Sequence, residues 1–338
     1  MLSHPAPAQA CTRVVYLGPS GMVLVARSMD WREDIQSNIW VLPRGIKRNG
    51  HAGPNSLKWK ARYGSVVVSA YESGTSDGMN EKGLVTNMLW LAESEFPTTT
   101  PKGKKGLAVS VWAQYFLDRF TTVDEAVDAM SGGEIVVLTG ETPGSTGVGS
   151  ANVHLSISDS TGDSAIFEYI GGKLVIHHGR PYQVMTNSPT YDKQLALDEY
   201  WEQIGGTVML PGTNRAADRF ARASFYVKAV PQTDDPRLAV ASMFSVIRNV
   251  SVPLGISTPN QPNIASTLWR VVADQKNLVY YYESTLTPNV FWLDLKDIDF
   301  SRRSGVRKLS VINQETYSGN AVDELESATA FEFMSAEQ

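Results

Sequence analysis

A chain of 338 residues with 42% hydrophobic and 19% charged side chains has the make-up of a packed globular protein, which excludes wholesale disorder. Its formal net charge of -5 offers no basic face to nucleic acid. No apolar run approaches the roughly 18 residues that a membrane-spanning helix needs, so a soluble molecule is expected.

The first ten residues, from Met1 to Ala10, carry two prolines and no periodicity. They close on Ala8-Gln9-Ala10, a small-x-small pattern of the kind signal peptidase cuts. The basic and apolar parts of a full signal peptide are missing, so the segment reads as the end of one. A cut after Ala10 makes Cys11 the new terminus and implies export, most simply to a bacterial periplasm. The bland alternative is a loose N-terminal tail. Cys11 is the sole cysteine, so it closes no internal disulfide and builds no thiolate metal site by itself.

Thr12 to Leu17 and Met22 to Ala26 are strand-like, joined by the turn Gly18-Pro19-Ser20-Gly21. A turn centred near Pro19 and Ser20 places Cys11 opposite about Ser28. Asp30 then falls one alternation further on the same face, and Arg27 on the other unless a bulge or a one-residue slip intervenes. Ser65 to Tyr71 and Leu84 to Leu89 read as strands flanking a polar turn from Ser73 to Asn80. Leu107 to Phe120 has helical length, and Thr122-Val-Asp-Glu125 is a capping box opening a second helix. Gly140 to Ser150 reads as a flexible loop, since it lacks the Lys-Ser/Thr of a phosphate cradle. A meander is expected from Val153 to Ile176, with turns at Asp159 to Asp163 and at Gly171-Gly172. Helices follow over Tyr191 to Ile204, Asp218 to Val230 and Pro236 to Val250. Strands return at Leu268 to Ala273, Leu278 to Ser284 and Val290 to Leu293. Hairpins without regular βαβ alternation predict a layered α+β fold in one domain, residues 11–338, with an acidic, partly ordered arm from Val322.

Several motifs then carry a likeness. Cys11-Thr-Arg with Ala26-Arg27-Ser-Met-Asp30-Trp31 resembles the opening of the choloylglycine hydrolase family, which comprises bile salt hydrolases and penicillin V acylases. Asp77-Gly-Met-Asn-Glu-Lys-Gly-Leu84 is similar to its characteristic turn, and Thr186-Asn187-Ser-Pro-Thr-Tyr-Asp192 to its asparagine motif. Leu210-Pro-Gly212 with Arg219-Phe220 resembles its second arginine segment, and Asn289 to Asp294 its C-terminal strand. The likeness runs from Cys11 to about Phe300. It implies a four-layer αββα N-terminal-nucleophile fold, removal of everything before the cysteine, and commonly a homotetramer. A short segment between Asn187 and Arg219, Trp90 after the turn and Trp31 after Asp30 are departures from the Gram-positive bile salt hydrolases. They resemble the Gram-negative subgroup, similar to penicillin V acylases that also cleave N-acyl-homoserine lactones.

The chemistry is self-contained. An N-terminal Cys brings its own base, because its α-amine lies within reach of its own thiol. None of the five histidines is needed, and none shows triad or metal spacing. The resemblance makes Cys11 the nucleophile and gives Asp30 the task of orienting its amine. Arg27 would favour the thiolate. Asn187 would donate to the developing oxyanion, with the Trp90 backbone N–H as second donor. Arg219 would support the charge network, with Arg222 competing for that role. Trp31 and Trp90 would wall an apolar acyl pocket. Read alone, Arg27 and Asp30 are an ion pair at a strand end, and the two tryptophans are ordinary core. The expected activity is hydrolysis of small N-acyl amides without cofactor or metal. Penicillin V, acyl-homoserine lactones and conjugated bile acids are the candidate substrates, and an unprocessed acyl-ligand binding protein is the non-enzymatic alternative.

Overall fold

The computed structural model describes residues 10–140, 151–259, 264–287, 289–313 and 315–336. Most of the expected processing segment and of the glycine-rich loop lies outside them.

Two antiparallel sheets form the centre. One has seven strands, with Thr12–Leu17 and Val23–Trp31 side by side near its middle, followed by Ser266–Asp274, Val279–Ser284 and Phe291–Asp294. Its two edges are the short strands Val184–Met185 and Gly319–Asn320, the latter paired in parallel. The other sheet has nine strands, from Lys173–His178 at one edge through Val153–Ser158, Val85–Trp90 and Gly74–Asn80 to Glu326–Ser327. Buried Val14, Val25 and Val271 of the first sheet and Val66, Val68 and Met79 of the second belong to one core. Helices Ala216–Ala229 and Pro236–Asn249 cover the first sheet, and Val109–Arg119 and Val123–Ser131 cover the second. The order is therefore helix, sheet, sheet, helix, as expected.

Local sequence explains most of these elements. The Thr122 side chain accepts from the Glu125 backbone while the Glu125 carboxylate reaches back, so the capping box opens Val123–Ser131 as read. Asp235 caps the helix at Pro236, where proline at the first position lacks only an N–H that would be orphaned anyway.

Two readings need correction and a third is sharpened. The first hairpin turns through three residues, Pro19–Gly21, with Ser20 at φ 55°. The pairing is Thr12 with Ser28 and Arg13 with Arg27, one residue away from the expected register. Arg27 therefore shares the inter-sheet face with Arg13, and Ser28 turns away from it. Next, Gly74–Asn80 is a strand between its two neighbours, not a turn. Its polar side chains are buried but satisfied: Thr75 donates to Gln114, and Asp77 accepts from Asn87 and from the Tyr280 hydroxyl. Lastly, the C-terminal arm, expected to be partly ordered, is docked over its described residues, with Phe333 buried and Phe331 packed on Trp40.

Candidate active site

Cys11 sits at the head of the strand Thr12–Leu17, 2% exposed, with Ala10 before it 1% exposed among Val252, Ile264 and Ala265. Its neighbours come from three directions. The adjacent strand Val23–Trp31 brings Asp30, whose backbone N–H donates to Sγ at 3.5 Å. The short strand Val184–Met185 leads straight into Asn187, whose Oδ1 accepts from the Cys11 backbone nitrogen at 2.5 Å. Helix Ala216–Ala229 supplies Arg219 from the outer layer.

Arg219 is fully buried and ties these pieces together. Its Nη1 donates to the Cys11 carbonyl at 2.5 Å and to Thr12 Oγ1 at 2.6 Å, and its Nη2 to Asn187 Oδ1 at 2.7 Å. Arg222, the competing arginine, instead donates to the carbonyls of Pro211 and Thr213. The planar fork of an arginine suits three fixed acceptors in a way a lysine does not.

Asn187 is oriented on both sides. Its Oδ1 meets two donors, so its Nδ2 is the group that donates to the Trp90 carbonyl at 2.8 Å. One amide hydrogen is used there and a second remains for a ligand. The Leu91 N–H bonds to the Asn152 carbonyl, so by strand alternation the Trp90 N–H and C=O leave the strand on the opposite side, toward Asn187.

Asp30 and Arg27 meet Cys11 differently. The Asp30 carboxylate accepts from Thr267 and Ser28. A break in register between Thr267 and Trp269 sits beside this contact, and bulges of this kind re-aim side chains. With residue 10 attached, the Cys11 nitrogen is an amide that points at Asn187, not at the Asp30 carboxylate. Arg27 is fully buried, donates to the Met88 carbonyl at 3.0 Å, and lies 4.4 Å above the Trp269 ring centroid. Its Nη1 stands 3.9 Å from Asp77, and its Nε has no hydrogen-bond partner among the described residues.

The charges oppose one another. Burial pushes the Cys11 thiol up, the positive charges of Arg27 and Arg219 pull it down, and Asp30 pushes it up again. Burial likewise raises the Asp30 carboxyl to about 6, against the pull of Arg219, Thr267 and Arg27. Burial thus outweighs the two arginines and holds the thiol above its ordinary value.

Cys11 opens into a cavity of ≈ 140 Å³ with an almost wholly apolar lining. Trp31 and Trp90 form part of its wall, with ring centroids 5.6 Å apart, and the Trp31 indole N–H donates to the Tyr71 hydroxyl. The cavity exists because the pairing of Gly74–Asn80 with Val85–Trp90 stops at Asp77 and Asn87. Beyond that point the strands diverge, exposing Thr75 and Ser76 on one side and Met88 to Trp90 on the other.

Every site residue expected from the sequence is thus gathered round one thiol: Cys11, Arg27, Asp30, Asn187, Arg219, Trp31 and Trp90. Sequence reasoning missed Thr12, Ser28 and Thr267, because hydroxyls in strands carry no signal of their own. It also missed Glu168, which binds the buried His154 ring at 3.0 Å, while the other ring nitrogen meets the carbonyl of Thr186, next to Asn187. Asp124, Asp163 and His178 approach one another within 4.8 Å, but none of them lines the cavity.

The model of the linear amide C–N hydrolases, choloylglycine hydrolase family, matches residues 11–307. The chain is 54% identical to a penicillin V acylase of Pectobacterium atrosepticum, covering 96% of this chain and 92% of that protein. It is 26% identical to a bile salt hydrolase/transferase of Clostridium perfringens, covering 81% and 89%. A solved penicillin V acylase from Agrobacterium tumefaciens superposes with a TM-score of 0.89 at 55% identity, over 96% of this chain and all of that one. With its fold, its motifs and these relatives in agreement, the chain belongs to the choloylglycine hydrolase family of linear amide C–N hydrolases.

Proposed function

We propose that, with residues 1–10 removed, Cys11 is the nucleophile of a penicillin V acylase that also cleaves N-acyl-homoserine lactones. The observation that carries this reading is the apolar cavity opening on the only cysteine, with two tryptophans in its wall. Its size favours a narrow acyl group: a cavity of about 150 Å³ holds one benzene ring. The phenoxy group of penicillin V and a single alkyl chain suit ≈ 140 Å³ better than the fused rings of a bile acid.

In this scheme the freed α-amine takes the thiol proton, and the sulfur attacks the amide carbonyl. Asn187 Nδ2 and the Trp90 N–H receive the oxyanion. The amine passes its proton to the leaving nitrogen as the C–N bond breaks, leaving a thioester. Water, deprotonated by the same amine, then releases the acid and the thiol. Arg27 and Arg219 stabilise negative charge on the sulfur, and Asp30 orients the amine. Exposed Leu197, Tyr200, Val208 and Met209 support the homo-oligomer that the family likeness implies, and Ala8-Gln9-Ala10 supports export to the periplasm.

The test is a product assay on phenoxyacetyl, linear acyl and bile acid amides, run on protein whose mass shows residue 11 as its terminus. Cleavage of the first two and not the third is expected, with Cys11→Ser losing nearly all turnover. A processed sample that cleaves none of them removes the enzymatic reading and leaves an acyl-ligand binding protein.

A further inference from the structure

The family match ends at residue 307, yet the cavity wall contains a residue 27 positions later, Met334. The segment that carries it is clamped by main-chain contacts on both sides. The Met334 N–H donates to the Ser73 carbonyl at 2.9 Å, and the Met334 carbonyl accepts from Ser110 Oγ at 2.6 Å. Ser73 precedes the strand Gly74–Asn80 where it peels from its neighbour, and Ser110 lies in the first turn of the helix Val109–Arg119. Both also line the cavity.

The clamp is reinforced on each flank. Phe333 is buried, with the Arg48 guanidinium 5.2 Å from its ring centroid, and Phe331 packs edge-on against Trp40 at 5.3 Å. On the other flank the Ala336 N–H donates to the His51 carbonyl at 2.8 Å. A backbone held at its N–H, its C=O and both neighbours leaves its side chain little freedom of position. Methionine is unbranched and polarizable, and fills irregular apolar space well.

We propose that Met334 is a specificity-determining residue, supplied by the docked C-terminal segment, that limits the length of the acyl group admitted beside Cys11. The proposal rests on the amide hydrolase reading above. In this arrangement the sheets provide the nucleophile and the tryptophan walls, and the C-terminal segment closes the space that the diverging strands leave open. Shortening the side chain lengthens the cavity, and enlarging it shortens the cavity.

The test compares kcat/KM over a homologous series of straight-chain N-acyl-homoserine lactones, with phenoxyacetyl amide as the reference, for processed wild type, Met334→Ala, Met334→Trp and Met334→Leu. Met334→Ala is expected to raise the ratio of long-chain to short-chain kcat/KM about tenfold, in line with the discrimination that a few methylene groups allow. Met334→Trp is expected to move the ratio the other way, and Met334→Leu to stay near wild type. Opposite shifts from two variants separate a pocket wall from general damage, which lowers all substrates together. Should Met334→Ala fail to fold, Met334→Trp against Met334→Leu decides the matter. Wild-type cleavage with chain-length profiles unmoved by these substitutions overturns the proposal while leaving the hydrolase reading intact. A processed wild type that cleaves no member of the series and no phenoxyacetyl amide overturns the reading itself.

Discussion

At the scale of single residues, the site is a set of hydrogen bonds with one saturated hub. Asn187 Oδ1 accepts from both Cys11 and Arg219, so the amide plane is fixed before any substrate arrives. Preorganised donors of this kind act on the transition state rather than on the bound amide. Asn187→Ala is therefore expected to lower kcat about a hundredfold, since loss of one such donor costs roughly 3 kcal/mol, with KM little changed. Steady-state kinetics on the processed enzyme checks this, and a change confined to KM contradicts the assigned role. Glu168 offers a second residue-scale prediction, now of stability. Burial works against its charge, but the hydrogen bonds from His154 and His177 outweigh it and hold the carboxyl at about 2, below its usual 4.5. A depressed carboxylate stabilises the fold fully above pH 4.5, and that share is lost as pH falls toward 2. The gap is worth on the order of 3 kcal/mol. Glu168→Gln is expected to be less stable than wild type at neutral pH, with the difference closing in acid. Denaturant titrations across that range measure it, and a gap that persists in acid excludes the ionised carboxylate as its source.

Elements show where sequence is a good guide and where it is not. The box at Thr122 and Glu125 was readable because all its parts lie within four residues. Thr122→Ala is expected to cost about 1 kcal/mol, lowering the melting temperature by roughly 1–2 °C with activity unchanged, as thermal unfolding and an activity assay will show. Helix Tyr191–Ile204 and strands Thr12–Leu17 and Val153–Ser158 were legible for the same reason, their periodicity being local. The strand Gly74–Asn80 was not, because its polar residues are satisfied by Gln114, Asn87 and Tyr280, which arrive from other parts of the chain. The hairpin register failed by one residue because the turn runs through Pro19–Gly21, with Ser20 and Gly21 both at positive φ. That slip carried Arg27 to the inter-sheet face, among Met88, Asp77 and Trp269. The candidate catalytic residues came from motif likeness. The supporting hydroxyls of Thr12, Ser28 and Thr267 did not, since their roles depend on which strand lies alongside.

At the scale of the whole molecule, each layer contributes one part of the site. The seven-stranded sheet carries Cys11, Arg27 and Asp30, its outer helix Arg219, the nine-stranded sheet Trp90, and the helix Val109–Arg119 lines the cavity with Val109 and Ser110, while the C-terminal segment adds Met334. Such a site forms only when all four layers close. That closure bears on the maturation proposed above, because the residues on either side of the bond between Ala10 and Cys11 are buried in the finished fold. A separate protease needs an extended, accessible stretch of chain at the bond it cuts, and Ala10 and Cys11 are both buried. Under the proposed processing, liberation of the amine therefore belongs to the nascent, still-open chain, or else to the folded site acting on its own peptide bond. In either case the enzyme of the proposed reading is competent only once both the fold and a single cut are complete.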